Sequence, residues 1–285
     1  MHRVAAEIEA KAPEVPKDLP ASNDEVMVMI DGAHIRATPG YQTRHLDVTV
    51  GKVEVSGRRP RRFALAPKGS DHPLAPMRAA LVEQGWHPGR TLAVISDGEA
   101  ALPNLVRAAT GEPVCHILDW FHLSMRIRPI EQVLMGLSAR QFQDPEPVQA
   151  AQASIERIRH LLWHGRPDDA DQEIALLVDH GSKIPERNGV SVRESTNDLT
   201  RLCKELQGYA QNNREAIINY HRRYHGKQPV SSSRAEGCVD EIANARMSKK
   251  QRMRWSPRGA HRVALVRAAV LDGRLQSCNA VPMAA

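Results

Sequence analysis

An apolar run that leads directly into an acid, VMVMIDGAHIR at residues 26–36, decides how the first part of the chain folds. Five consecutive apolar residues followed by a turn-forming pair are typical of a buried strand. Asp followed by Gly is common in turns, because Asp bonds its own backbone and Gly accepts a positive φ. We therefore expect a strand over 25–31 that ends at Asp31, which serves either as a turn former or as a ligand.

A second apolar run, TLAVISD at 91–97, ends in the same way and places Asp97 before another glycine. Two acids at the ends of buried strands suggest a ligand site at one edge of a sheet, although each alone is also explained by a turn. Neighbouring carboxylates repel each other unless a cation lies between them, and hard oxygen donors favour Mg²⁺ or Mn²⁺ over zinc. Two such ions would stabilise the attacking and leaving oxygens of a phosphodiester displacement.

A third acid of the kind that such a site needs occurs in SSSRAEGCVDEI at 231–242. The serines are good helix N-caps, so Glu236 falls in the first turn of a predicted helix. A glutamate there also complements the helix dipole without any other role. The spacing alone leaves both interpretations of Glu236 open.

The composition is that of an ordinary globular protein, with 285 residues, 41% hydrophobic and 25% charged. No apolar run approaches the roughly 20 residues that cross a bilayer. The first 20 residues lack the apolar core of a signal peptide, so we expect a cytoplasmic protein with no membrane partner. Four widely spaced cysteines predict neither a disulfide framework nor a zinc knuckle.

Positive charge is concentrated near the C-terminus. Residues 222–274 contain thirteen Lys and Arg against four Asp and Glu, whereas the whole chain has a net charge of +6. Such a segment indicates either a polyanionic partner, most often nucleic acid, or a solvated basic face. Within it, Trp255 is either a stacking platform for DNA or a core anchor. The bases around it are Lys249, Lys250, Arg252, Arg254 and Arg258.

The order of the predicted elements indicates an α/β protein with a large all-helical insertion. Strands are predicted at 25–31, 45–55, 61–66, 91–97 and 113–118. Helices are predicted at 75–85, 99–109, from Asp119 onward, and at 147–164, 168–179, 192–223, 235–247 and 258–273. The predicted organisation is a flexible tail at 1–24, the first part of the core at 25–125, the helical insertion at 126–228, C-terminal core helices with the basic segment at 229–275, and a tail at 276–285.

Five motifs in order, DGAHIR, VISDGE, HILDWFHLSMR, SRAEGCVD and RMSKKQRMRWSPRGAHRVALVR, resemble the catalytic half of the ISKra-type insertion-sequence transposases over roughly 25–275. The resemblance implies a DDE enzyme with an RNase H-like mixed sheet flanked by helices. It implies that Asp31, Asp97 and Glu236 are the catalytic acids and hold two Mg²⁺ or Mn²⁺ ions. The implied activity is metal-dependent DNA cleavage and strand transfer at transposon ends and target DNA.

The resemblance also extends to Asp119 and His122 in DWFH, which are similar to a [C/D]-x-x-H pattern near the active sites of such enzymes. It implies that this pair supports the site, while a capping Asp beside a satisfied His explains the same residues. Lys249, Lys250, Arg252, Arg254, Trp255 and Arg258 are the implied DNA contacts. The roles of Trp163 and His34 stay open.

Members of this group usually carry a substantial DNA-reading region before the first core strand, which here begins about 25 residues from Met1. We therefore expect either a truncated transposase or a non-catalytic DNA-binding remnant of a decayed one. We expect a homo-oligomer on DNA, associated with the nucleoid in the cytoplasm.

Overall fold

The computed structural model describes residues 2–10, 25–137, 142–184, 192–247 and 253–275. Within these ranges the side chains of His2, Glu9, Ala10 and residues 234–236 lie outside the description. The chain forms two compact units. The first comprises 1–116 with 232–285, and the second comprises 117–231.

A five-stranded mixed sheet organises the first part of the chain. Its strands lie in the order β3-β2-β1-β4-β5. β1 pairs antiparallel with β2, and β2 with β3, whereas β1–β4 and β4–β5 are parallel. The α/β class with a mixed sheet and a largely helical region beyond it is confirmed. The strand bounds are β1 Val26–Arg36, β2 His45–Glu54, β3 Arg61–Leu65, β4 Leu92–Ser96 and β5 Cys115–Leu118.

Helices make up most of the remaining described residues. The predicted helices at 75–85, 99–109, 147–164, 168–179, 235–247 and 258–273 are each confirmed to within three residues at either end. The helices are α1 His2–Ala10, α2 Ala75–Glu83, α3 Ala101–Thr110, α4 Trp120–Gly136, α5 Glu146–Trp163, α6 Pro167–Ser182, α7 Arg193–Asn212, α8 Tyr220–His225, α9 Ser233–Val239, α10 Ala245–Met247 and α11 Pro257–Leu271.

Each face of the sheet is covered by a different group of helices. Val28 and Ile30 of β1 pack with α2 and α3 on one face. Ala33 and Ile35 pack with α9, α11 and the segment between them on the other. Burial on both faces explains why residues 26–30 of β1 and 92–95 of β4 are continuously apolar, whereas the second half of β1 alternates between buried and exposed residues.

The predicted end of β1 at Asp31 is wrong. The strand continues to Arg36, because β2 pairs with it through Asp31↔Val50 and onward to Arg36↔His45. The Asp-Gly pair therefore lies inside an antiparallel ladder and forms no turn. On the other side of β1, the pairing with β4 reaches only Met29↔Ile95, so the Asp-Gly pair lies beyond the end of that ladder.

The predicted loose tail at 1–24 is wrong for its first residues, because α1 occupies His2–Ala10. Ala5 is buried, and α1 contacts α11 and α2. Val4, Ala5 and Ile8 stand at helical spacing and give α1 an apolar face. Residues 11–24 lie outside the described part, as does the predicted tail at 276–285.

The second unit is helical and spans 117–231, compared with the predicted insertion at 126–228. It contains α4 to α8, of which α5 and α6 pack together, and α7 packs against α4 and α6. The helix predicted over 192–223 is two helices. α7 ends at Asn212, and α8 begins after Asn219, whose side chain accepts the Arg222 N–H at 2.8 Å as an N-cap.

No helix within the described ranges has an apolar stretch of the length needed to span a membrane.

Candidate functional site

The register of β1 and β4 sets Asp31 level with Asp97. The parallel pairing runs from Val26↔Leu92 to Met29↔Ile95, and two further residues along each strand lead to the two aspartates. Neighbouring strands lie about 4.8 Å apart, so the two carboxylates branch from adjacent backbones. Asp31 lies inside β1 and Asp97 follows the end of β4, so each comes two residues after the last pair of the ladder, on neighbouring strands of the sheet.

The two aspartates also share a face of the sheet. Ile30 faces α2 and α3 while Ala33 faces α9 and α11, so the alternation along β1 puts Asp31 on the α9 side. In β4, Leu92 and Val94 face α2 and α3, and the same alternation puts Asp97 on the opposite side. Sequence reasoning predicted a common edge but did not predict this common face.

Backbone amides hold both carboxylates. Oδ1 of Asp31 accepts the Gly32 N–H at 2.7 Å, and Oδ1 of Asp97 accepts the Glu99 N–H at 3.0 Å. Both residues are partly exposed. The turn-former interpretation is therefore correct for the local bonding of Asp97. A backbone bond to one oxygen fixes the orientation of a carboxylate that also serves as a ligand.

His116 is a residue next to β4 that sequence reasoning missed, and its hydrogen-bond partner Ser96 faces α2 and α3, opposite the face assigned to the two aspartates. It lies on β5, and its Nε2 shares a hydrogen bond of 2.9 Å with Oγ of the fully buried Ser96. Burial, and next the charge of Arg107, lower the pKa of His116, while the charge of Asp97 acts in the other direction. A lone His in a short strand carries no spacing signal, so only the strand order reveals its position.

Glu236 lies on α9, the helix that packs against β1 and β2. Cys238 and Val239 anchor α9 in the same apolar cluster as Ala33 and Ile35. The predicted helix is therefore present, and it packs on the face of the sheet assigned to the two aspartates. The side chain of Glu236 lies outside the description.

A π-helical turn at Asp240–Asn244 follows α9 directly. Oδ1 of Asp240 accepts the Asn244 side-chain amide at 2.6 Å. π-turns inside helices occur frequently at functional sites, since the extra residue shifts the side chains before it relative to those after it. Its position four residues after Glu236 gives the helix a change of register next to the predicted ligand.

Asp119 and His122 form a pair within the second unit. Asp119 is fully buried and caps α4, because its Oδ1 accepts the Phe121 N–H at 2.8 Å. Its Oδ2 lies 2.9 Å from Nδ1 of His122. The capping interpretation of Asp119 is therefore correct, and a supporting role at an active site stays a prediction.

Trp255 is an anchor. Its backbone N–H donates to the Arg36 carbonyl at 2.9 Å, and its backbone carbonyl accepts the Thr38 N–H at 3.0 Å. Its ring packs against the cluster that contains Ala33 and Ile35. Arg254 and Arg258 on either side are exposed. Of the other predicted DNA contacts, Lys249, Lys250 and Arg252 lie outside the described residues.

Trp163 and His34 have defined neighbours. Trp163, at the end of α5, packs edge-on against Trp120 at 4.7 Å between ring centroids and parallel to Tyr220 at 5.9 Å. It lines a cavity of about 680 Å³ in the helical unit. His34 is exposed, and its Nδ1 lies 2.8 Å from Oδ1 of Asp47 on β2.

The donor set at the shared face is suited to a hard cation. Asp31 and Asp97 supply carboxylate oxygens, the ligands that Mg²⁺ and Mn²⁺ prefer. Among the side chains that the structure describes, which exclude that of Glu236, no three His, Cys, Asp or Glu residues form a group that could hold a metal ion. A two-metal centre therefore requires an oxygen donor beyond these two aspartates.

In comparisons with known proteins, the chain matches no family model, no curated protein and no solved structure.

Proposed function

We propose that the protein is the catalytic part of a DDE-type insertion-sequence transposase, which cleaves DNA and transfers its strands with the help of Mg²⁺ or Mn²⁺. The observation that carries the proposal is the parallel register of β1 and β4, which sets Asp31 level with Asp97. An RNase H-like core accounts for the order of the parts. The first acid is on the first strand, the second follows the fourth strand, and the third is on a helix beyond a helical unit.

In this proposal Asp31, Asp97 and Glu236 bind two metal ions. The bound ions supply positive charge to the attacking and leaving oxygens of the phosphodiester. The amides of Gly32 and Glu99 fix the orientation of the two aspartates.

The proposed substrates are the ends of an insertion sequence and its target DNA, which a homo-oligomer would hold together. The exposed cations Arg254 and Arg258 support DNA as the partner, because phosphate contacts from Lys and Arg dominate the affinity of proteins for DNA. Asp119 and His122 are proposed to support the site.

A nicking assay on supercoiled plasmid with Mn²⁺ tests the proposal. We expect the wild type to nick the plasmid, and Asp31→Asn and Asp97→Asn each to lower the rate by at least about 100-fold, since an amide is a poor metal ligand. Asp71→Asn, which removes an exposed acid remote in sequence from all three, is the matched control and should leave the rate unchanged.

The second candidate is a non-catalytic DNA-binding protein, which the same exposed cations favour. In that case the wild type and Asp97→Asn bind DNA equally well, and neither nicks it with any divalent metal ion. Equal nicking by the two proteins would contradict both candidates, because the cleavage would then not depend on Asp97.

A further inference from the structure

A groove runs beside the turn that joins β1 to β2. It has a volume of about 330 Å³, and its lining includes Tyr41, Arg44, Leu46, Lys68 and Pro257. Leu46 belongs to the apolar cluster on the α9 and α11 side, so the groove opens on the face of the sheet that carries Asp31.

The groove contains two cationic side chains for which the described residues supply no acidic partner. Arg44 and Lys68 are both exposed, and within the described ranges neither side chain has a hydrogen-bond or ion-pair partner. His45 and Asp47 also line the groove, and the Asp47 carboxylate lies 2.8 Å from His34. Two cations that have no partner among the described residues therefore line one cavity from two separate segments of the chain.

The C-terminal basic segment reaches the same place through Trp255. Its two backbone bonds, to the Arg36 carbonyl and from the Thr38 N–H, fix residues 254–256 beside the end of β1. Arg254 lies one residue before this anchor. Arg258 is one residue after Pro257, which lines the groove. Neither arginine side chain has a partner among the residues described.

We propose that this groove is a binding site for the phosphate backbone of duplex DNA, with Arg44 and Lys68 as its phosphate contacts and Arg254 and Arg258 extending it. The inference rests on the proposed function, which makes DNA the ligand. The end of β1 at Arg36 is five residues from Asp31, or about 16 Å at about 3.3 Å per residue. This distance corresponds to about five base pairs at 3.4 Å each, so a duplex in the groove extends to the catalytic face.

The test compares the double variant Arg44→Gln/Lys68→Gln with Arg193→Gln/Lys204→Gln. The control pair, on α7, removes the same two kinds of side chain, both exposed and without a partner in the described part of the chain. Binding to a 30-base-pair duplex is measured in EDTA over a series of salt concentrations. The slope of log K against log[salt] is negative, and loss of two phosphate contacts should make it less steep by about 1.8. The control variant should keep the wild-type slope.

An unchanged slope in the Arg44→Gln/Lys68→Gln variant, or the same change in both variants, would overturn the inference. Thermal melting checks that each variant is folded. The single variants Arg44→Gln and Lys68→Gln give an independent measurement, because each should make the slope less steep by about 0.9. Because binding is measured without metal ions, the outcome is separate from the nicking assay. A less steep slope in the double variant, together with no nicking by the wild type, supports DNA binding in the groove and contradicts the proposed enzyme activity. Nicking by the wild type, together with an unchanged slope in the double variant, supports the enzyme activity and contradicts DNA binding in the groove.

Discussion

Oγ of Ser96 lies 2.9 Å from Nε2 of His116, and this bond joins β4 to β5 at the residue directly before Asp97. Ser96 is fully buried and His116 is partly buried. Burial favours the neutral imidazole, and the nearby Arg107 charge adds to this effect. A histidine whose neutral form is favoured therefore links β4 to β5, on the face of the sheet opposite the one assigned to the two aspartates.

The lowered pKa of His116 predicts how stability depends on pH. The unfolded chain takes up a proton near pH 6.5 whereas the folded chain resists it, so the free energy of unfolding falls as pH drops below about 6.5. His116→Gln should make urea midpoints at pH 5 and pH 8 more alike than in the wild type. His72→Gln, at an exposed site, is the control. The control should keep the pH dependence of the wild type. If His116→Gln keeps it too, His116 is not the group responsible.

Asp272 is predicted to stabilise the first unit. It is buried at the end of α11, accepts the backbone N–H of Arg62 at 3.0 Å, and lies 3.3 Å from the Arg62 guanidinium. Asp272→Asn removes the buried carboxylate from the Arg62 guanidinium, and also from that of Arg274 at 3.4 Å, and leaves Arg62 with only the more exposed Glu241. Because the Arg62 side chain is one quarter exposed, we expect a loss of about 2–3 kcal/mol in the free energy of unfolding, less than for a fully buried pair.

Glu241→Gln is the matched control for Asp272→Asn, since Glu241 is the other acid near Arg62, at 3.4 Å, and its side chain is about half exposed. Its removal should cost less than about 0.5 kcal/mol. Both values are measured by denaturant unfolding. If both variants lose a similar free energy of unfolding, the greater effect expected for the buried Asp272 is contradicted.

The cysteines are predicted to differ in reactivity. Burial raises the pKa of Cys203 to about 12, and burial also raises the pKa of Cys238, whereas Cys115 is exposed. Since the thiolate is the reactive form, iodoacetamide at pH 8 should label Cys115 at least about 100-fold faster than Cys203. Peptide mass spectrometry measures each rate, with the urea-unfolded chain as the control in which the rates converge. Rapid labelling of Cys203 in the folded protein would contradict the packing of α7.

The sequence predicts the parts of the sheet because apolar runs and turn residues are local signals. It fails at β1, where the Asp-Gly pair was interpreted as a strand end, because the pairing partner that extends β1 to Arg36 is a separate segment. The anchoring of Trp255 on Ala37 joins residues more than 200 positions apart and has no local signal. The sequence names Asp31, Asp97 and Glu236, but their common face follows only from the register and the packing of α9.

The central claim is that Asp31, Asp97 and Glu236 bind the same metal centre, and iron-mediated cleavage of the backbone tests it most directly. With added hydrogen peroxide as oxidant and ascorbate to reduce Fe³⁺ again, Fe²⁺ in a Mg²⁺ site generates hydroxyl radicals that cut the nearest peptide segments. We expect cuts near residues 31, 97 and 236 together, all suppressed by excess Mg²⁺ and all lost in Asp97→Asn. Cuts near 31 and 97 without any near 236, or none that Mg²⁺ suppresses, would contradict it.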